Sequence, residues 1–336
     1  MVAPKLARVR KKVLPAAIST FYRVLSGTAR RLPEARPSRH GVEVIADLAY
    51  TDAGGPEHRL DVYKPVGDLG LLPVVVYIHG GSFRSLSKDT HWVMALMWAR
   101  AGYLVFNLNY RLAPAHPYPA ACEDLAQAWD WVLDHIPSLG GDPERIVVTG
   151  ESAGGNLAAV LAVAATMERP EPWARQIYAR ARVPRAVVPC GAVLQVSDPR
   201  RWTRRRKAAG KPAPALLQSV IDGTFRAYAG LEPDGPEATA DHGLMDPLCV
   251  VEAATPADLG DRPLPAFFLP VGSRDPLIDD HRRMLAAVQR LGGQAELTVY
   301  PGMEHSFHAF VKRPVARQHW QDCFDFCARV LEPAGG

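Results

Sequence analysis

The sequence predicts an α/β layer fold with a mostly parallel sheet flanked by helices. Continuous apolar runs at Pro73–Ile78, Tyr103–Leu108 and Ile146–Thr149 read as strands buried on both faces, as parallel strands are. Helix-forming stretches separate them, at Thr90–Ala101 and Pro119–Ile136. The third run leads into Gly150-Glu151-Ser152-Ala153-Gly154-Gly155-Asn156 and then into the Ala/Leu-rich stretch Leu157–Ala165, which gives strand, sharp turn, helix.

In chain order, Val42–Tyr50 and His58–Tyr63 alternate apolar and polar residues about the turn Ala53-Gly54-Gly55-Pro56, the pattern of antiparallel strands at a sheet edge. In Pro119–Ile136 the residues Leu125, Trp129 and Val132 recur on one side, and Pro119 suits a first helical turn. Ala186–Val196, Ala266–Val271 and Ala295–Tyr300 supply the sixth, seventh and eighth strands, with helices at Asp279–Leu291 and Arg317–Leu331. The alternation breaks once, over Ser197–Thr255. That segment holds the basic run Arg200–Lys207, then Lys211-Pro212-Ala213-Pro214, then a helix at Ala215–Ala229. So long an insertion is a lid or a surface elaboration. For the basic run, a solvated face is set against guidance of an anionic substrate.

The 336 residues, 48% hydrophobic and 22% charged, are enough to bury a large core and exclude extended disorder. The net charge of +4 is concentrated at the start, where residues 1–40 carry ten Lys/Arg against Glu34 alone. Such a basic start admits contact with an anionic membrane surface or nucleic acid, set against a plain solvated helix face; weak membrane contact is retained as an expectation and no nucleic-acid partner is expected. The apolar stretch Val13–Tyr22 resembles a signal peptide, yet Arg23 interrupts it and it is too short to span a bilayer. A retained helix and a cytoplasmic protein are expected, with peripheral membrane attachment or export as the alternatives. Five scattered cysteines are poor material for a disulfide framework. His319, Cys323 and Cys327 share a helix face and read as core packing. No metal or other cofactor is expected. Oligomeric state is left open, a dimer included.

The turn at Ser152 is a nucleophile elbow. Gly150 and Gly154 remove side chains that would strike the neighbouring strand and helix, and Ser152 takes a strained conformation with its hydroxyl exposed. Directly after the third strand comes His79-Gly80-Gly81-Ser82-Phe83. Acyl transfer builds negative charge on a carbonyl oxygen, and backbone N–H groups held in advance on a glycine-rich loop bind that oxygen without reorganising.

These segments, with Asn109-Tyr110-Arg111-Leu112-Ala113-Pro114-Ala115-His116-Pro117-Tyr118-Pro119-Ala120, resemble the hormone-sensitive-lipase-like group of α/β-hydrolases, the bacterial family IV esterases. The likeness covers about residues 58–320. It implies an eight-stranded, mostly parallel sheet in a single domain spanning 1–336. It also implies a helical cap, made of about residues 1–40 and 197–255, over an acyl pocket. It implies an oxyanion hole from the N–H groups of Gly81, Ser82 and Ala153, with Gly80 in the same loop and His79 bracing it. Two departures stand out: Ser82 replaces the family's third glycine, and Glu151 replaces its common aspartate. Ser82 keeps its N–H, while its side chain narrows the acyl site.

Acid and base follow the nucleophile in this fold. The resemblance assigns the acid to Asp275 in Gly272-Ser273-Arg274-Asp275-Pro276-Leu277, with Asp279 and Asp280 as rivals better suited to starting a helix. It assigns the base to His305 in Gly302-Met303-Glu304-His305-Ser306-Phe307-His308, with His308 as the rival. Glu151 is expected either beside the reacting groups or in structural hydrogen bonding. The Tyr110–Ala120 loop is expected to be scaffolding. The expected activity is a serine carboxylesterase acting on short- to medium-chain acyl esters through an acyl-enzyme. A deacetylase or amidase using the same triad is the enzyme alternative, and a hydrolase-like receptor that only binds is the non-enzyme one.

Overall fold

The computed structural model describes residues 24–332 except 25, 29, 53, 212 and 213, and the side chain of residue 216 is also left out. The apolar N-terminal stretch and most of the basic start lie outside the described residues. Eight strands form one sheet in the order β1-β2-β4-β3-β5-β6-β7-β8. They are β1 (Val42–Ala49), β2 (Arg59–Pro65), β3 (Leu72–Ile78), β4 (Leu104–Leu108), β5 (Gly141–Glu151), β6 (Ala186–Cys190), β7 (Ala266–Gly272) and β8 (Ala295–Tyr300). β1 and β2 run antiparallel at the edge, and every pairing from β4 to β8 is parallel. The predicted edge pair and the predicted parallel centre are both present.

The central strands read as unbroken apolar runs because both faces are covered. Val74, Val76 and Ile78 enter one core, with Phe106, Ile146 and Val148. Their neighbours Val75 and Tyr77 enter the other, with Val105, Val147 and Val188. Side chains along a strand point alternately to opposite faces, so a period of two divides one run between two cores.

The helices are α1 (Trp92–Arg100), α2 (Ala120–His135), α3 (Ala153–Thr166), α4 (Pro172–Ala179), α5 (Arg201–Ala208), α6 (Ala215–Ala229), α7 (Pro247–Ala253), α8 (Ile278–Arg290) and α9 (Pro314–Leu331). Every residue of α3 is buried, which is why its sequence is apolar all round and rich in small side chains. On α2, Leu125, Trp129 and Val132 form the buried stripe their spacing predicts.

Three outcomes differ from the sequence reading or add to it. The sixth strand ends at Cys190 and not at Val196, because Gly191 turns the chain with φ +47°. α4 and α7 are short helices begun by proline within stretches that carry little periodicity. The basic run forms α5, whose arginines are held in ion pairs: Arg200 with Asp222 and Asp234, Arg201 with Asp280, Arg204 with Asp198 and Arg205 with Asp279. The helix has no buried residue, so it is a solvated face, one whose ion pairs fasten the inserted segment to itself and to α8.

The inserted segment also grips the carboxyl end of the sheet. Asp246 accepts hydrogen bonds from the backbone N–H groups of Val196, at 2.5 Å, and Ser197, at 2.9 Å. Asn156, one turn into α3, donates from Nδ2 to the carbonyls of Val193, at 2.8 Å, and Met245, at 3.3 Å.

Candidate active site

Residues from the ends of five parallel-type strands converge at the carboxyl edge of the sheet, where ligands bind in open α/β sheets. Ser152 stands between β5 and α3 with φ 53° and ψ −114°, a conformation costly for a residue with a side chain. Its N–H donates to the Cys190 carbonyl at 3.0 Å, and its own carbonyl accepts from Val193 N–H at 3.3 Å. A Cβ on Gly154 would fall on the carbonyls of Ile78 and His79, and one on Gly150 on the Ile78 carbonyl and the Gly154 backbone. The two glycines are therefore required by close approach to β3 and α3, as the motif predicts.

β7 ends at Gly272, where a Cβ would strike the Met303 carbonyl, so the loop after β8 can lie directly against it. That contact brings His305 to Asp275, with Nδ1 donating to Oδ2 at 2.8 Å. The other Asp275 oxygen accepts the Leu277 N–H at 2.9 Å. Asp275 is buried, whereas the His305 side chain is 36% exposed. Burial pushes the Asp275 pKa up, but the charge and hydrogen bond of His305 outweigh it and hold the pKa below the usual range. Burial likewise pulls His305 down, and the Asp275 carboxylate more than restores it, so the imidazole pKa is raised.

Gly191 joins this pair to the elbow. It follows Cys190, which holds the Ser152 N–H, and a Cβ on it would lie 3.1 Å from Asp275 Oδ2 and 3.5 Å from His305 Nδ1. Asp279 and Asp280 lie in the first turn of α8, favourable for acids at the positive end of the helix dipole. Asp280 is occupied by Arg201 at 2.7 Å.

The loop after β3 carries φ +122° at Gly81 and 57° at Ser82, a left-handed stretch closed by the Arg84 and Ser85 N–H groups donating to the Gly81 carbonyl at 3.0 and 3.1 Å. Ala153 opens α3, and an N–H in a first helical turn has no acceptor within its own helix. His79 is buried behind this loop, its ring stacked on Tyr110 at 4.3 Å and its Nδ1 donating to the Gly80 carbonyl at 2.7 Å. Burial, reinforced by repulsion from His91, pushes its pKa down to about 3, so it is neutral. Arg111 is tied to Asp124 and Glu123, which makes the following loop scaffolding.

Glu151 is buried and lies between two imidazoles, His91 Nε2 at 3.0 Å and His308 Nε2 at 2.7 Å. Burial pushes its pKa up, yet the His308 and His91 hydrogen bonds hold it well below the carboxylate range. His308 thus faces Glu151, and His305 faces Asp275. His91 was missed from sequence. Sixty positions separate it from Glu151, and no local pattern marks the contact.

Behind Glu151, His319 stacks on His308 at 4.8 Å. Its Nε2 lies 3.8 Å from Cys190 Sγ and 3.6 Å from Cys323 Sγ. His319, Cys323 and Cys327 are buried, as core packing predicts, but the residue completing the converging group is Cys190, not Cys327. The ligand atoms of Cys190, His319 and Cys323 lie within 4.8 Å of one another, among the described residues the only such group of three. The two thiols bracket the same imidazole nitrogen and supply its hydrogen bonding. A separate cavity of about 410 Å³ lies between α2 and α4, lined in part by Tyr118, Glu123, Glu171 and Trp173 and by none of the elbow or oxyanion-loop residues.

A serine at a strained strand-to-helix turn, a histidine–carboxylate pair beside it and a glycine-rich loop opposite define an α/β-hydrolase. A family profile for the alpha/beta hydrolase fold matches residues 75–309, and the chain belongs to this family, in its hormone-sensitive-lipase-like branch. Among relatives, Carboxylesterase NlhH of Mycobacterium tuberculosis is 34% identical over 251 residues, covering 74% of this chain and 70% of the relative. Ethyl acetate hydrolase of Pseudomonas putida is 28% identical, covering 79% and 76%. Among solved structures, an esterase of Pyrobaculum calidifontis is 26% identical with a TM-score of 0.67, covering 93% and 92%. A thermostable carboxylesterase from a metagenomic library reaches a TM-score of 0.71 at 25% identity, covering 96% and 98%.

Proposed function

We propose that Ser152, Asp275 and His305 are the catalytic triad of a serine carboxylesterase, with the N–H groups of Gly81, Ser82 and Ala153 as its oxyanion hole. The observation that carries the reading is the 2.8 Å His305–Asp275 hydrogen bond, linked through Gly191 and Cys190 to the strained Ser152. His305 Nε2 takes the Ser152 proton as Oγ attacks the ester carbonyl and returns it to the departing alkoxide, leaving an acyl-serine. Asp275 fixes the tautomer and stabilises the imidazolium. Water then attacks the acyl-serine by the same route and releases the acid. The oxyanion forms on the substrate carbonyl oxygen, where fixed N–H groups hold it without reorganisation.

The acyl group is short to medium in chain length, because the inserted segment acts as a cap over the carboxyl edge of the sheet. Phe83 of the oxyanion loop stacks on Tyr228 of α6 at 3.7 Å, which supports this role. Residues 1–40 complete the cap, and their first part lies outside the described residues. A cytoplasmic location fits the five unpaired cysteines. Among the described residues no helix is long and apolar enough to cross a membrane.

Turnover of 4-nitrophenyl esters from acetate to dodecanoate tests the reading. Activity is expected to peak at or below medium chain length and to fall by about 10³-fold or more in Ser152→Ala. A peak at the longest chain would overturn the acyl-length proposal, and retained activity in Ser152→Ala would overturn the triad.

A further inference from the structure

Among the described residues no carboxylate pairs with Arg84, a cation beside the proposed oxyanion loop. It follows Ser82 by two residues, so their Cα atoms are at most about 7 Å apart. Phe83, between them, turns inward onto Tyr228 of α6, with ring centroids 3.7 Å apart and planes 6° from parallel. Arg84 leans on the same helix, since a Cβ on Gly223 would come within 3.1 Å of Nη1. The guanidinium therefore occupies the seam between the oxyanion loop and α6, and the missing side chain of Gly223 leaves room for it.

The neighbouring charges are already spent. Asp222, next to Gly223, holds Arg200 at 3.1 Å and the Gln218 amide at 2.6 Å. Arg226, further along α6, is paired with Glu232 at 2.7 Å. Arg200, just before α5, and Arg201, Arg204 and Arg205 on it all have carboxylate partners. Among the described residues none pairs with Arg84, and its Nε is buried with no hydrogen-bond partner. Burial lowers its pKa from the ordinary guanidinium value, with no nearby acid to offset the loss. A partly buried, unpaired charge is costly to keep. Facing a segment whose ion-paired arginines are Arg200, Arg201, Arg204, Arg205 and Arg226, an unmatched arginine at the substrate seam suits a partner that arrives with the substrate.

We propose that Arg84 is an anion subsite of this enzyme, binding a negatively charged group carried by the ester substrate on the side facing α6. This names a substrate class for the proposed esterase site and rests on that reading. A planar carboxylate or a phosphate meets the guanidinium fork equally well. The ester would thus be the half-ester of a diacid, or the ester of an acidic alcohol.

Two matched pairs of probes locate the charge. On the acyl side, the 4-nitrophenyl half-ester of adipic acid is compared with 4-nitrophenyl hexanoate. On the alcohol side, 4-acetoxybenzoate is compared with 4-acetoxybenzamide. The readout is the ratio of kcat/KM for the anionic to the neutral member, and Arg84→Leu is expected to lower it by about 10- to 100-fold in one pair. Arg84→Lys should retain part of the ratio. Gly223→Asp leaves Arg84 in place but gives it an internal counter-ion, and should lower the same ratio even if Arg84→Leu folds poorly. Ratios unchanged within twofold in both pairs for Gly223→Asp and a folded Arg84 variant overturn the subsite. Ser152→Ala, run alongside, keeps the two claims apart. If it is inactive the esterase reading stands whatever the ratios do, and if it is active that reading fails first.

Discussion

Two imidazole–carboxylate pairs lie close together at the carboxyl edge of the sheet, and their difference is instructive. His305–Asp275 and His308–Glu151 have nearly the same separations, 2.8 and 2.7 Å. Both histidines have raised pKa values and both carboxylates lowered ones. What separates them is access. The His305 side chain is 36% exposed and that of His308 5%. Glu151 has imidazoles on both sides, whereas the second oxygen of Asp275 is held by a backbone N–H. In the proposed triad the open pair exchanges a proton with substrate, and the sealed pair holds the chain in place. On that proposal, chemically equal pairs divide into reaction and support according to what can reach them.

The comparison breaks most sharply at the two histidines. His305→Ala is expected to reduce kcat/KM by about 10³- to 10⁴-fold in a chain that still folds, a loss far beyond any fall in stability from leaving Asp275 without its partner. His308→Ala should do the reverse, costing about 3–5 kcal/mol of stability in a urea titration because Glu151 loses a buried partner. Its loss of turnover should follow the fraction unfolded. Equal kinetic losses from both changes would contradict the division.

A smaller effect is expected from Glu151→Gln, which keeps an acceptor but removes the charge facing His91 and His308. It should cost about 1–3 kcal/mol by the same titration. Turnover should fall modestly, since the residue abuts Ser152.

The pH responses of the two pairs separate by sign. A base must be neutral, so kcat/KM should rise with pH through the raised pKa of His305, placing the acid limb above the ordinary imidazole value of 6.5. Asp275→Asn should shift that limb to lower pH. For stability, Glu151 has a depressed folded pKa. Its contribution is present above the unfolded value and is lost as pH falls through the folded one. His308 has a raised folded pKa, so its contribution is full below the unfolded value and is lost as pH rises through the folded one. Unfolding titrations across acidic and neutral pH on the parent and His308→Ala would show whether the slopes follow these signs.

The smallest change is expected at Cys323→Ser, which keeps a polar atom beside His319. Stability should fall by about 1 kcal/mol with turnover within twofold. A large kinetic loss would tie the thiol cluster to the reaction.

Much of this was legible in the sequence because it rests on local spacing. The apolar runs mark strands, the paired glycines mark a turn pressed against β3, and the order of serine, aspartate and histidine follows the strands that present them. The choice between His305 and His308 needed the family pattern, since either could follow β8. The other features depend on contacts between distant segments. The end of β6 at Cys190, the pairing of His91 with Glu151, the ion pairs of α5 and the unmatched Arg84 leave no periodic trace. Arginines in one run look alike in sequence, and only the fold shows which have found carboxylates.

The most direct test of the central claim is intact-mass measurement after treatment with a fluorophosphonate, with the modified residue mapped by peptide sequencing. The account predicts one adduct per chain, on Ser152, with activity lost in proportion to labelling and no adduct in Ser152→Ala. Inactivation with the adduct on another residue, or full activity in a chain labelled at Ser152, would contradict it.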